Sequence, residues 1–180
     1  MGKTVALLKG VNVGGNNLLP MAKLRAYLES LGFQNVKTLL QSGNVVFEES
    51  GHSIEELEIL LARETEKRFG LRIEYFVRSA DQWSKLILGN PFLQEARTDP
   101  GHLIAMLTKG KMEANGELKL RGVHKGPEQI HFDSGGIYIT YPAGQGTSKL
   151  TGNVLERNLG VLCTGRNWNT VLKLGALLGP

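Results

Sequence analysis

The sequence predicts an α+β fold made of two similar halves. Three observations predict it. Short apolar runs bounded by glycine alternate with segments of helical periodicity. Turn signals recur along the whole chain, glycine supplying 23 of 180 residues. The order of elements after Pro100 also repeats most of the order before it. Hydrophobic residues at 41% and charged residues at 21% are globular proportions, which excludes an extended disordered chain.

The first apolar run, Thr4–Lys9, stops at Gly10 and predicts a central strand. A loop rich in Gly and Asn follows, residues 10–19 and including Asn16. Pro20 then opens a helix, where its missing N–H costs nothing. Met21, Leu24, Leu28 and Leu31 recur at helical spacing as one buried stripe, and Gly32 ends it. Asn35–Leu40 and Asn44–Glu48, separated by Gln41-Ser42-Gly43, predict a hairpin with Val45 and Phe47 inward and Ser42, Asn44 and Val46 outward. Ser53 and Glu56 have capping-box spacing and start a helix that Gly70 stops. Leu71–Val77 predicts a fourth strand. Ser79 and Gln82 form a second capping box before a short helix that ends near Asn90-Pro91.

Asp99-Pro100-Gly101 is a turn signal and the expected boundary, giving halves 1–98 and 99–180. The second half predicts a strand at Leu103–Leu107, a weak helix at Lys111–Leu120 and a hairpin of Gln129–Phe132 with Ile137–Tyr141. A helix at Ser148–Leu159 and a last one over about Gly165–Leu178, with Thr164 as its cap, complete it. The first half reads β-α-β-β-α-β followed by a helix, the split βαβ or ferredoxin-like order. A βαβ unit with an antiparallel edge pair is the other topology this order allows. The second half reads β-α-β-β-α with a final helix where a fourth strand would stand. The two ferredoxin-like halves point to an internal duplication carrying an extra C-terminal helix.

One cysteine excludes a disulfide framework and a multi-cysteine zinc site. No H-x-x-x-H or H-E-x-x-H spacing occurs among His52, His102, His124 and His131, so no metal is expected. Cys163 follows Val161-Leu162 and reads as a core residue. No nucleophile or general base can be assigned, so the sequence names neither a reaction nor a cofactor. No apolar run reaches the ~18 residues of a membrane span, and the opening lacks a secretory pattern. A cytoplasmic, soluble protein is the expectation.

The net charge is +4 and all of the excess lies in the second half. Residues 1–100 carry 12 Lys+Arg and 12 Asp+Glu, while residues 101–180 carry 9 and 5. Such an excess attracts an anionic ligand or a nucleic acid, or simply solvates one face. An RNA-recognition surface needs outward aromatic rings on its central strands. Here Ser42 and Asn44 occupy those positions, and only Tyr138 is suitably placed in the second half.

Three polar clusters remain. The loop Gly10-Val11-Asn12-Val13-Gly14-Gly15 enters a helix but matches no dinucleotide or Walker pattern. It reads as an anion cradle or as an asparagine-supported turn. The loop Gly144-Gln145-Gly146-Thr147-Ser148-Lys149 offers two hydroxyls and a lysine, for phosphate binding or for helix capping by Thr147 or Ser148. In Thr164-Gly165-Arg166-Asn167-Trp168-Asn169-Thr170, an arginine in a first helical turn would oppose the helix dipole. It would then grip an anion or tie the helix down.

The opening Val5-Ala6-Leu7-Leu8-Lys9-Gly10-Val11-Asn12-Val13-Gly14-Gly15, the hairpin Gln41-Ser42-Gly43-Asn44-Val45-Val46-Phe47 and the closing Thr164–Val171 segment together resemble a bacterial family, domain-of-unknown-function family 1697. Lys9 stands where that family's opening usually carries arginine. It keeps the charge but not the planar fork. The resemblance implies a duplicated ferredoxin-like α+β fold in a cytosolic protein, and no known activity, ligand or catalytic residue.

The expected site is a cleft between the halves lined by Lys9, Asn12, Gln41, Ser42, Asn44, Arg166, Asn167 and Asn169. Its cations and amides suit an anionic small molecule such as a nucleotide or phosphorylated metabolite. Non-specific nucleic-acid binding by the basic second half is the alternative, and a structural or protein-interaction module is the third. In that third case neighbouring backbone would satisfy the asparagines.

Overall fold

The structure is a computed structural model that describes residues 2–15, 17–49 and 51–179. Asn16, part of the first polar loop, lies outside them. The chain forms two compact units, Met1–Ser84 with Leu174–Pro180, and Lys85–Lys173.

In the first unit the elements run β1 (Gly2–Leu8), α1 (Met21–Ser30), β2 (Gln34–Thr38), β3 (Asn44–Glu49), α2 (Ile54–Phe69) and β4 (Tyr75–Ser79). The sheet order is β2-β3-β1-β4, and every pair is antiparallel. β1 is central because five consecutive residues, Thr4–Leu8, are buried. Alternation then sets the core. Ala6, Leu8, Val45, Phe47, Tyr75 and Val77 point to one face, where Leu24 and Leu28 of α1 and Leu57 and Leu61 of α2 cover them. Each such leucine contributes roughly 1.5–3 kcal/mol on burial. The box at Ser53 and Glu56 forms in both directions, and Gly70 ends α2 in the left-handed conformation.

β4 is an edge strand, so some of its N–H groups have no ladder partner. Glu58 of α2 supplies one, its carboxylate accepting from Val77 N–H at 2.9 Å.

The second unit continues with α3 (Ala80–Leu88), whose first turn belongs to the first unit, then α4 (Leu93–Thr98) and β5 (Leu103–Thr108). α5 (Gly116–Val123), β6 (Ile130–Asp133), β7 (Gly136–Thr140), α6 (Gly152–Leu159) and β8 (Cys163–Asn167) follow. The sheet order β6-β7-β5-β8 is the first sheet's order with each strand replaced by its counterpart, again antiparallel throughout. Ile104, Met106, Ile137, Ile139 and Cys163 meet Leu120 of α5 and Leu155 and Leu159 of α6 in one core. Glu156 of α6 accepts from Cys163 N–H at 2.8 Å, the device that Glu58 provides in the first unit. The last helix, α7 (Trp168–Leu178), begins in the second unit and ends in the first. Two similar halves with a C-terminal helix are therefore the architecture.

Several local expectations change. The segment 163–167, read from the sequence as a helix start, is the fourth strand β8. Its residues have little intrinsic strand preference, and five paired positions along β5 impose the conformation. Asn167, not Thr164, therefore caps α7, and the dipole argument for Arg166 does not apply. α6 starts at Gly152 behind the Thr151 cap, because Gln145–Thr147 is a short 3-10 turn. Leu31 is 38% exposed rather than part of the α1 stripe. Asn44 and Val46, expected outward, are buried, as is Tyr138, whose hydroxyl donates to Leu86 carbonyl at 2.7 Å. That ring is unavailable for base stacking. α4 carries no apolar stripe and was not anticipated.

Candidate functional site

The residues singled out from the sequence fall into two groups, one in each unit. In the first unit, Asn12 of the loop after β1 meets loop 39–43 at one end of the sheet. Asn12 has φ 54°, a left-handed conformation that asparagine tolerates. Its amide donates to Leu19 carbonyl at 2.9 Å and Gln41 carbonyl at 2.7 Å, and its oxygen accepts from Leu19 N–H at 2.8 Å. Asn12 and Gln41 are thus brought together through the Gln41 backbone, leaving the Gln41 side chain exposed. Asn44 donates to Leu39 carbonyl at 2.7 Å and to Ser42 Oγ at 3.2 Å. Gly43, between them, has φ 78°, and its carbonyl accepts from Leu8 N–H. A Cβ there would lie 2.5 Å from Val11 Cγ2, so the turn requires glycine. Lys9 is half-buried, and its backbone N–H donates to Glu74 carbonyl.

In the second unit, Arg166 leaves β8 with its guanidinium donating to Thr164 Oγ1 at 3.1 Å and Gly165 carbonyl at 2.8 Å. Burial pulls its pKa down to about 10. Asn167 accepts from both the N–H and the hydroxyl of Thr170, at 3.0 and 2.9 Å, and so caps α7. Asn169 is exposed in the first turn of that helix.

Sequence reasoning missed Arg78. It precedes the first-unit strand–helix junction as Arg166 precedes the second, and its guanidinium donates to the preceding carbonyl, Val77, at 2.7 Å. Burial lowers its pKa too, opposed by Glu58 at 3.9 Å. The signal available was positional, since each arginine lies two residues before a helix.

Sequence reasoning also missed a cavity of about 490 Å³ in the second unit. One wall is the His124-Lys125-Gly126-Pro127-Glu128 turn after α5. The other contains Thr147, Ser148 and Lys149, from the hydroxyl-bearing loop singled out above. Val123, Leu150 and Val154 supply apolar surface. The Glu128 side chain is only 7% exposed. It accepts a hydrogen bond from Ser148 Oγ, which in turn accepts from Leu150 N–H at 2.9 Å. His124 Nε2 lies 3.0 Å from Glu128 carbonyl and 3.6 Å from its Oε2. Burial works to raise the Glu128 pKa. The Ser148 hydroxyl, the backbone N–H of Glu128 itself and His124 outweigh it, so the carboxyl titrates below its ordinary value. A Cβ at Gly126 would run into this carboxylate.

Ser148 thus donates its one proton to the Glu128 carboxylate, and Leu150 N–H occupies its oxygen. Among the described residues, no group of three or more His, Cys, Asp or Glu side chains could hold a metal ion. No helix there is long and apolar enough to cross a membrane.

A conserved bacterial protein of solved structure, SP0830 from Streptococcus pneumoniae, is similar over 98% of both chains, with a TM-score of 0.76 and 22% identity. At that identity the likeness is one of fold. No curated protein matches the chain. The family described as "Protein of unknown function (DUF1697)" matches residues 1–138, which include the opening and the first hairpin but not the Arg166 segment. With two of the three distinguishing motifs inside a match over most of its length, the chain belongs to the DUF1697 family.

Proposed function

We propose that the protein binds an anionic small molecule, a nucleotide or phosphorylated metabolite, in the cavity of the second unit. One observation carries the reading. Two lysines, Lys125 and Lys149, line a space of about 490 Å³. The volume is that of a metabolite site. Ammonium groups bind phosphate oxygens by charge-assisted hydrogen bonds. A cytoplasmic address, where such metabolites are abundant, goes with this function.

The test is a thermal-shift screen of nucleotides and phosphosugars against the wild type and the K125A/K149A double variant. A ligand at a hundred times its Kd stabilises by about 2.7 kcal/mol. The expected result is a shift in the wild type that the double variant loses. No shift with any member, or an equal shift in both proteins, overturns the reading. Lys9, Asn12, Gln41, Ser42 and Asn44 of the first unit, and separately Arg166, Asn167 and Asn169 of the second, are further addresses proposed for the same ligand. A shift lost in Lys9→Ala and kept in K125A/K149A would favour the first-unit address.

The charge excess of residues 101–180 favours one other reading, non-specific nucleic-acid binding. It requires affinity that falls steeply with added salt. Gel-shift titrations at two ionic strengths test it, and absence of binding at low salt rejects it.

A further inference from the structure

We infer that the occupant of the second-unit cavity is a phosphorylated polyol, a sugar phosphate or ribonucleotide, whose hydroxyls are read by Glu128. The inference rests on the anion-binding reading and makes it more specific.

Lysines alone would accept any anion of suitable size. Glu128 stands in the same lining as Lys125 and Lys149 and is enclosed. A bare phosphate or a simple carboxylate entering the cavity gains the lysines but meets this negative charge at short range. A ligand satisfies both only if it carries hydrogen-bond donors beside its anionic group.

A carboxylate is an acceptor with about four lone-pair positions. Ser148 takes one on Oε1. His124 Nε2, at 3.6 Å from Oε2, is too far for a hydrogen bond there and meets Glu128 carbonyl at 3.0 Å instead. Glu128's own backbone N–H takes another position. About two of the four positions are therefore left for ligand hydroxyls. The carboxylate is also held in place, since Ser148 is itself fixed by Leu150 N–H. Gly126 leaves the room in which it lies. The apolar lining of Val123, Leu150 and Val154 suits the C–H face of a sugar or base. Acidic side chains pair with ribose hydroxyls by the same chemistry in dinucleotide sites.

Isothermal titration of the intact chain with matched pairs tests this. The probes are ribose 5-phosphate against 2-deoxyribose 5-phosphate, and adenosine 5′-monophosphate against its 2′-deoxy form, with inorganic phosphate as the reference anion. The expected result is that at least one hydroxylated member binds tenfold or more tighter than its deoxy partner and than inorganic phosphate. In E128Q that ratio falls towards one. Glutamine keeps a carbonyl oxygen for Ser148, so the variant retains its local anchor, and its thermal midpoint checks the fold. Equal wild-type affinity within every pair overturns the inference and leaves anion binding standing. A ratio unchanged in E128Q also overturns it. Failure of every nucleotide and phosphosugar to bind removes the anion-binding reading and this inference together.

Discussion

Asn12 shows how one side chain fixes a functional-looking loop. Its three hydrogen bonds join residue 12 to residues 19 and 41, and its left-handed backbone suits asparagine. Asn12→Ala loses all three contacts and adds the αL penalty of a Cβ residue. At about 1 kcal/mol each, the expected loss is about 3–4 kcal/mol, read as a lower urea midpoint at constant m-value. Asn12→Gly loses the same contacts without the backbone penalty and should be about 1 kcal/mol less damaging. The asparagines conspicuous in the sequence thus have backbone duties at positions 12, 44 and 167, the arrangement expected of a structural role. Composition cannot show this, because an amide that grips a ligand and one that grips a carbonyl have the same letter.

At the scale of elements, caps and edge partners set the boundaries. Asn167 accepts from Thr170 at the start of α7. Asn167→Ala should cost about 1 kcal/mol, whereas Asn167→Asp keeps the acceptor and adds a charge that the helix N-terminus favours. Thermal midpoints of the two variants, one lowered and one equal or raised, check this. Glu58 is a partner of a different kind, serving an N–H on an edge strand. Glu58→Leu strands that buried donor and should cost about 1–3 kcal/mol, while Glu58→Gln retains an acceptor and should cost less. The capping boxes at Ser53 and Ser79 were legible because both partners lie three residues apart in the chain. β8 was not, because Thr164-Gly165-Arg166-Asn167 becomes a strand only by pairing with β5, more than fifty residues earlier. Glu156 lies only seven residues from its partner Cys163, but its role stays hidden until 163–167 is known to be an edge strand.

For the whole molecule, the two sheets have the same order, and element order along the chain already pointed to that repetition. The cavity was not legible, because it forms where residues 123–128 meet residues 143–154. The sequence shows each stretch only as a turn. Stability should depend on pH through groups in both units. The Tyr27 hydroxyl holds Glu64 below its ordinary pKa, Ser53 does so for Glu56, and Glu128 is also depressed. Depressed carboxyls stabilise above their unfolded value of about 4.3, and that stability is lost as pH falls through the folded values. Tyr138 moves the other way, burial raising it to about 12 with Asp133 adding to the effect. Its contribution is complete below about pH 10, the unfolded value, and is lost as pH rises towards 12. Urea midpoints from pH 3 to 11 should therefore form a plateau with losses at both ends, and Tyr138→Phe should soften the alkaline one. The outermost strands have a further consequence. β2, β4, β6 and β8 are only four or five residues long, and β2 shifts register between Gln34 and Lys37. With Glu58 and Glu156 occupying outer donors, a stray chain finds little continuous backbone on which to template. Concentrated solutions of the native protein should accordingly resist fibril growth.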